Sequence, residues 1–554
     1  MKRIFILATA AVAVVAIGVS AQQPPDPIRT AADTLGATTL KTLKYTGFGA
    51  NYSVGQSPSA TEAWPRVSIK SYEASINYDT SSMLVEMLRE QGPVPPRGGG
   101  QPFTGEQRQI QAVSGNAAWN VGFGPPPPPD PTRITAAEAF QIAGVPPPAP
   151  ARGRGEGPAG GEGGGRGRGG APGGLVAQPP QSAQAAAAER AQQLWMTPHG
   201  FLKAAIANKA TARKVTGGNE VSFNVGGKYK LTGLINNRNE VERVQTWVDN
   251  PVLGDMPIDT TYSNYQKFEG LTFPLRIVQT QGGYPAFDVW VSSVSPNAMV
   301  DIAVPEPVKT AVAAPVRVEV QKIANGVYYL TGGTHHSVAI EMRDHIVMVE
   351  GPLNEERSLA VIAKVKDTIP NKPVRFVVNT HLHFDHSGGL RAYVNEGATV
   401  VTHQLNRAYL EKAWMAPRTI NPDRLSQSKK VAVFRTFMTK DVLTDGARTI
   451  EVHRIAGSPH NDGFAMVYLP AEKILIEADA YTPAPPAPVA PAPARGRGAA
   501  AAPPPPPPVS QATVNLYENI ERLKLNVDRI ATLHGPRLAT MRDLEDATRP
   551  AGTN

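Results

Sequence analysis

Apolar and polar positions alternate through residues 31–123 with the period of a half-buried strand. Trp64-Pro65-Arg66-Val67-Ser68-Ile69-Lys70-Ser71-Tyr72 is one such stretch, and residues 40–47 form a shorter β-leaning one. Alternation returns after Phe201. Residues 220–225 and 228–233 flank Gly226-Gly227, a hairpin signal, and residues 241–248 and 275–280 extend the series. The pattern changes beyond residues 311–315, which read as a hinge. Residues 318–330, turning at Asn325-Gly326, and residues 337–349 are predicted to form paired strands. Asn354 is predicted to cap a helix running to about Val365, with Glu355 and Glu356 favourable in its first turn. A β-rich run follows at 374–379, and residues 513–525 read as a helix. Strands alternating with helices imply a layered α/β domain.

Two tracts carry neither pattern. Residues 124–194 and 483–508 are rich in Pro, Gly, Ala and Arg, a composition that buries too little apolar surface to offset the entropy of ordering. Within the first, residues 185–194 favour helix by propensity alone. The tracts divide the chain into a mainly antiparallel β N-terminal domain, residues 31–123 and 195–310, and an α/β domain, residues 318–548, interrupted by the insertion 483–508. By general pattern, and without a chemical motif, the β-rich part resembles the curved half-barrels of lipoprotein-carrier-like periplasmic domains.

Composition narrows the setting. Lys2 and Arg3, an apolar run over 4–19 and the small residues Val19-Ser20-Ala21 read as a signal peptide over residues 1–21. The run is shorter than the ~20 residues a bilayer span needs. A periplasmic or secreted protein is therefore expected, with no integral membrane segment after cleavage. The chain has no cysteine, which excludes disulfides and thiolate metal ligands. The net charge of +8 raises the question of nucleic acid. However, Arg152, Arg154, Arg166, Arg168, Arg495 and Arg497 lie in the linker tracts, so a small molecule, not a nucleic acid, is the expected partner. The oligomeric state is not legible.

Chemistry concentrates late in the chain. Ten of the eleven histidines follow residue 334, and His381-Leu382-His383-Phe384-Asp385-His386-Ser387-Gly388-Gly389 places four candidate ligands within six residues. On an extended loop side chains alternate, so His381, His383 and Asp385 are expected to project to one side, with His386 turned toward a neighbouring position. Imidazoles and carboxylates without cysteine suit zinc.

His-x-His-x-Asp-His after a hydrophobic strand resembles the signature of the metallo-β-lactamase superfamily, whose later motifs have counterparts in order: Gly457-Ser458-Pro459-His460, Ile474-Leu475-Ile476-Glu477-Ala478-Asp479 and Leu533-His534-Gly535-Pro536. The resemblance implies an αββα sandwich and two zinc ions. His381, His383 and His460 would hold one ion, Asp385, His386 and His534 the other, with Asp479 bridging. It also implies hydrolysis of a small ester, lactone, thioester, sulfate ester or amide by metal-activated water, Asp385 taking a catalytic part. One departure is Asn461-Asp462-Gly463 after the third motif, where many relatives have Thr and Pro-Gly; Asp462 reads as a turn residue. His335 and His336, in a loop of the kind that borders this site, are assigned to substrate binding. His403 and His453 read as structural, and His345 as solvent-exposed.

Two other readings compete on the same fold. A β-lactamase proper is disfavoured because such enzymes usually lack an aspartate bridge. An iron-dependent sulfur or oxygen oxidoreductase keeps a similar motif, although di-iron flavoprotein relatives usually carry Glu at the position of His383 and need a flavin domain.

Overall fold

The computed structural model describes residues 26–91, 97–100, 106–121, 183–312, 315–484 and 509–549. The predicted signal peptide, most of the first linker and residues 485–508 of the insertion lie outside these.

The N-terminal domain is built on one twelve-stranded antiparallel sheet. Strands β1 (Thr42–Tyr52), β2 (Arg66–Asn77), β3 (Ser82–Glu90), β4 (Gln107–Ser114) and β5 (Ala117–Val121) form one meander. Strands β6 (Ala212–Val215), β7 (Gly218–Val225), β8 (Tyr229–Asn236), β9 (Val241–Asn250), β10 (Gly254–Phe268), β11 (Leu271–Gln281) and β12 (Tyr284–Pro296) form the other. Pairing of β1 with β12 joins the two. Three helices supply apolar residues to the sheet: α1 (Pro27–Leu35), α2 (Ala183–Met196) and α3 (Pro198–Ala207). Ile28, Leu35, Leu194, Phe201 and Leu202 pack with Leu43, Ile76, Val221 and Val289 of the strands. α2, where propensity favours helix over residues 185–194, thus packs with the β domain.

The C-terminal domain contains two sheets. The first runs in the order β13 (Glu319–Ala324), β14 (Val327–Thr331), β15 (Ser337–Glu341), β16 (Ile346–Val349), β17 (Val374–Val378), β18 (Thr399–His403) and β19 (Phe434–Phe437). The second runs β20 (Lys440–Thr444), β21 (Thr449–Arg454), β22 (Ala465–Leu469), β23 (Ile474–Glu477), β24 (Arg529–Thr532) and β25 (Ala539–Thr540). Val338, Ile340, Val347 and Val349 of the first sheet share a core with Val452, Val467, Ile476 and Ile530 of the second. The other side of the first sheet, Ala339, Met348, Val377 and Val400, is covered by Val361 and Ile362 of α4 (Glu355–Thr368) and by Leu390. Burial on both faces explains why β16 is apolar at every position. As expected, Asn354 caps α4, accepting a hydrogen bond from the Arg357 N–H.

The two domains share a third core. Val54, Trp64, Val252 and Ala286 of the N-terminal domain pack with Phe384, Tyr409 and Leu410. Trp64 stacks on Tyr284, with centroids 5.0 Å apart, and meets Phe384 edge-on at 6.1 Å. A buried polar chain reinforces the contact. Arg391 donates a fork to Asp423, with Nη2–Oδ1 at 2.9 Å, and Arg418 Nε lies 3.6 Å from the same carboxylate. Arg418 reaches across to donate to the carbonyls of Asn250, Pro251 and Val252 at 3.3, 3.0 and 2.9 Å. Burial pulls the Arg418 guanidinium down to about 10.

Burial opposes ionisation of Asp423, but Arg391 and the Ser426 N–H hold its carboxyl down at about 2. The stability it contributes is therefore complete above the ordinary carboxylate range, near pH ~4, and is lost as pH falls toward about 2. Asp423→Asn leaves two buried guanidinium groups without their counter-charge and is expected to cost roughly 3–5 kcal/mol, measured as a lowered urea midpoint at pH 7. The deficit relative to wild type should shrink on acidification. A variant within about 1 kcal/mol of wild type at pH 7 would show that the pair contributes no more than a surface one.

Candidate metal centre

Strand β17 ends at Val378, and the chain crosses Thr380 to His383 before a single helical turn, α5 (Phe384–Ser387). This change of backbone corrects the expected alternation. His381 and His383 project to one side from the extended stretch, whereas Asp385 and His386 are rotated away by the turn and face a second position. The remaining groups arrive on loops after strands: His460 before β22, Asp479 two residues beyond β23, His534 two residues beyond β24, and His335 between β14 and β15.

Two sets of converging ligand atoms result. His381, His383, His460 and Asp479 form one, and His335, Asp385, His386 and His534 the other. Asp479 faces both. Its Oδ2 lies 3.1 Å from His460 Nε2 and 3.7 Å from His381 Nε2. Its Oδ1 lies 3.1 Å from His386 Nε2 and 3.1 Å from His534 Nδ1. Every sequence-predicted metal ligand is thus in one place, although the ligands span 154 residues of chain between His381 and His534.

The donor chemistry fits cations. His381 Nε2 and His460 Nε2 approach to 3.2 Å, two ring nitrogens whose lone pairs converge on a common point. His383 Nδ1 is buried without a hydrogen bond, an arrangement costly for a polar atom unless an ion satisfies it, and His386 Nε2 faces the Asp479 carboxylate. Their opposite nitrogens are anchored. His383 Nε2 donates to the Ser57 carbonyl at 2.8 Å, and His386 Nδ1 donates to Glu350 Oε2 at 2.5 Å. Such partners fix the tautomer and aim the free nitrogen. Glu350 is fully buried and also accepts from Thr380 N and Oγ1, both at 2.9 Å.

Electrostatics separate His381 and His383 from His386 and His534. Burial, together with neighbouring imidazoles, pushes the His381 imidazole well below its usual range and His383 down to about 3, so both are neutral donors. Burial also disfavours charge on His386 and His534, but the Asp479 carboxylate outweighs it and raises both. Burial opposes ionisation of Asp385 and Asp479, yet the surrounding imidazoles hold both carboxyls well below the ordinary range. Glu477, buried near Asp479, is pushed up to about 8 and accepts from the N–H groups of Ala480 and Tyr481 at 3.0 and 3.2 Å, shaping the turn that carries Asp479.

Several sequence assignments change. His335, assigned to substrate binding, is buried within the second ligand set: its Nε2 lies 3.2 Å from Asp385 Oδ2, and its ring stacks on His534 at 4.1 Å. His336, assigned to substrate beside it, is also buried and donates from Nε2 to the Gly535 carbonyl at 2.8 Å. Its backbone N–H donates to Leu533 O, so it braces the His534 loop. His345 is buried rather than exposed, with Nδ1 2.7 Å from Asp344. His403 and His453 are buried at strands, bonded to Met438 O and Glu451 respectively. Asp462 pairs with Arg97 at 2.7 Å and touches no ligand.

Sequence reasoning missed Glu350, Gln56 and Ser57. An acid closing the apolar run Ile346–Val349 was a usable signal for Glu350. Nothing marked the other two, which come from the N-terminal domain. Gln56 Nε2 donates to Asp385 Oδ1 at 2.8 Å.

Comparison with known proteins places this geometry. Residues 327–534 match the metallo-beta-lactamase superfamily. The 2,4-dinitroanisole O-demethylase subunit alpha of Nocardioides sp. (strain JS1661) is 23% identical over 167 residues, 30% of this chain. The match spans 47% of that relative, about half its length. Among solved structures, the metallo-beta-lactamase from Pontibacter korlensis is 21% identical, with 42% of this chain and 97% of that one covered and a TM-score of 0.30. The enzyme from Hirschia baltica gives 20%, 42%, 96% and 0.30. The C-terminal domain, through residues 327–534, belongs to the metallo-beta-lactamase superfamily.

Proposed function

We propose that this protein is an exported two-zinc hydrolase acting on a small ester, lactone, thioester, sulfate ester or amide. The observation that carries the reading is the Asp479 carboxylate, with one oxygen toward His381 and His460 and the other toward His386 and His534. His381, His383 and His460 would hold one ion, Asp385, His386 and His534 the other, with His335 near enough to join the second set. A pair of such ions supplies acidified water at neutral pH and polarises a scissile oxygen.

The chain's own residues do the rest. Asp385 keeps Oδ2 turned into the second set while Gln56 occupies Oδ1, so Oδ2 is the atom available to hold the second ion beside the reacting water. Glu350 and Ser57 hold His386 and His383 in the tautomers that leave a ring nitrogen free. The burial of His381, His383, Asp385, His386 and His460 strengthens the electrostatic contacts within the site. The aspartate between the sets favours a broad hydrolase over a β-lactamase proper. The 2,4-dinitroanisole in the name of the O-demethylase relative adds an aryl methyl ether to the chemistry worth screening.

Metal analysis of the purified full chain should find close to two zinc ions, together with turnover in a panel of chromogenic esters, lactones, thioesters, sulfate esters, amides and 2,4-dinitroanisole. Stoichiometric iron without zinc would replace this reading by an iron oxidoreductase. Asp385→Ala should abolish turnover with the circular dichroism spectrum retained; wild-type kinetics would remove Asp385 from the chemistry. Glu350→Gln should weaken metal retention by ~10–100-fold in a competitive chelator titration, and unaltered retention would reduce Glu350 to a packing role.

A further inference from the structure

The N-terminal domain does more than sit beside the metal centre. The connection between β1 and β2 crosses the domain boundary and lies against the His381–His386 segment. Its path is tightly constrained. Gly55 has φ +76°, and a Cβ there would come within 2.3 Å of the Phe384 ring, so the loop reaches the site only with glycine at this point. The Gly55 carbonyl accepts the Phe384 N–H at 3.3 Å. Gln56 then donates to Asp385 Oδ1 at 2.8 Å, and the Ser57 carbonyl accepts from both His383 Nε2 at 2.8 Å and Asn461 Nδ2 at 3.1 Å. The Pro58 carbonyl accepts the Asp462 N–H at 2.8 Å.

The segment 97–100, between β3 and β4, closes over this loop. The Gly98 N–H donates to Pro459 O at 3.0 Å, and the Gly99 N–H donates to Gln56 O at 3.0 Å. A Cβ on Gly99 would strike Gln56 Oε1 at 1.7 Å and approach His383 Cε1 at 3.1 Å. The Gln56 side chain is thus clamped in one orientation, between a glycine backbone and a carboxylate.

We propose that Gln56 is a positioning residue of the metal centre, by which the N-terminal domain completes a site whose ligands all lie in the other domain. The inference rests on the two-metal reading above. Its physical content is that an ionised carboxylate has two oxygens competing for the same ion. The Gln56 amide N–H engages Oδ1 and leaves Oδ2 as the ligand atom, beside His335 and His386. The Ser57 carbonyl does the corresponding work on the other set, keeping the His383 proton on Nε2 and its lone pair on Nδ1. One short loop therefore contacts one ligand of each set.

The effects on the two sets are separable, which gives the test. Gln56→Leu is one atom shorter, apolar, and carries no donor. In the full-length protein, stepwise chelation followed by metal analysis should show the ion of the Asp385 set leaving ~10–100-fold more readily, while the ion of the His381 set is retained. Cobalt-substituted protein should show the same selective change in its visible absorption, with the urea midpoint unaltered. Gly55→Ala, which displaces the whole loop, should loosen both ions. Two ions held as tightly in Gln56→Leu as in wild type, or both lost in parallel with a drop in unfolding midpoint, overturn the proposal while leaving the two-metal reading intact. A wild-type protein that binds fewer than two ions overturns both.

Discussion

A buried carboxylate has two oxygens, and the C-terminal domain is arranged so that those of Asp479 face different histidine pairs. The constraint is demanding. Asp479 stands on a loop beyond β23, His386 on a single helical turn beyond β17, His460 on a turn before β22, and His534 on a loop beyond β24. These elements belong to two sheets, and only the core that both sheets share holds the four loops in register. A carboxylate and imidazoles this deeply enclosed are poorly solvated. Their desolvation cost is tolerable only where charges oppose one another at short range. Four of the histidines shift in opposite directions for this reason: His381 and His383, which see mainly burial and other rings, are lowered, whereas His386 and His534, which lie against the Asp479 carboxylate, are raised.

Much of this was legible in the sequence because the relevant signals are local. His381 to His386 lie within six residues, and Asp479 and His534 each follow a strand whose apolar run announces it. The α/β layering was readable from alternating strands and helices, and the N-terminal strands from period-two patterning. What was not legible depends on backbone direction or on distant chain. The splitting of Asp385 from His381 and His383 follows from a helical turn only four residues long, too short for periodicity to reveal. His335 and His336 are adjacent in sequence but do different work, since consecutive side chains in extended backbone point opposite ways. The burial of His345 reflects packing against Phe376, which no local rule encodes.

The domain boundary is the place where local reading fails most. Strand patterns described both domains as independent, yet they share an apolar core through Trp64 and Phe384 and a polar chain from Arg391 through Asp423 and Arg418 to the carbonyls of residues 250–252. Gln56 and His383 are 327 positions apart and nonetheless belong to one neighbourhood. An amide and a backbone carbonyl leave no compositional trace, so only the folded chain reveals them.

The Ser57 carbonyl, accepting hydrogen bonds from His383 and Asn461 of the other domain, has a consequence for how the molecule is assembled. Any contact that improves cation affinity must, by thermodynamic reciprocity, be strengthened by the cation in equal measure. Occupation of the site would then act as a weld between the β-rich and α/β halves, and the interdomain angle would become a property that metal supply can stiffen or relax.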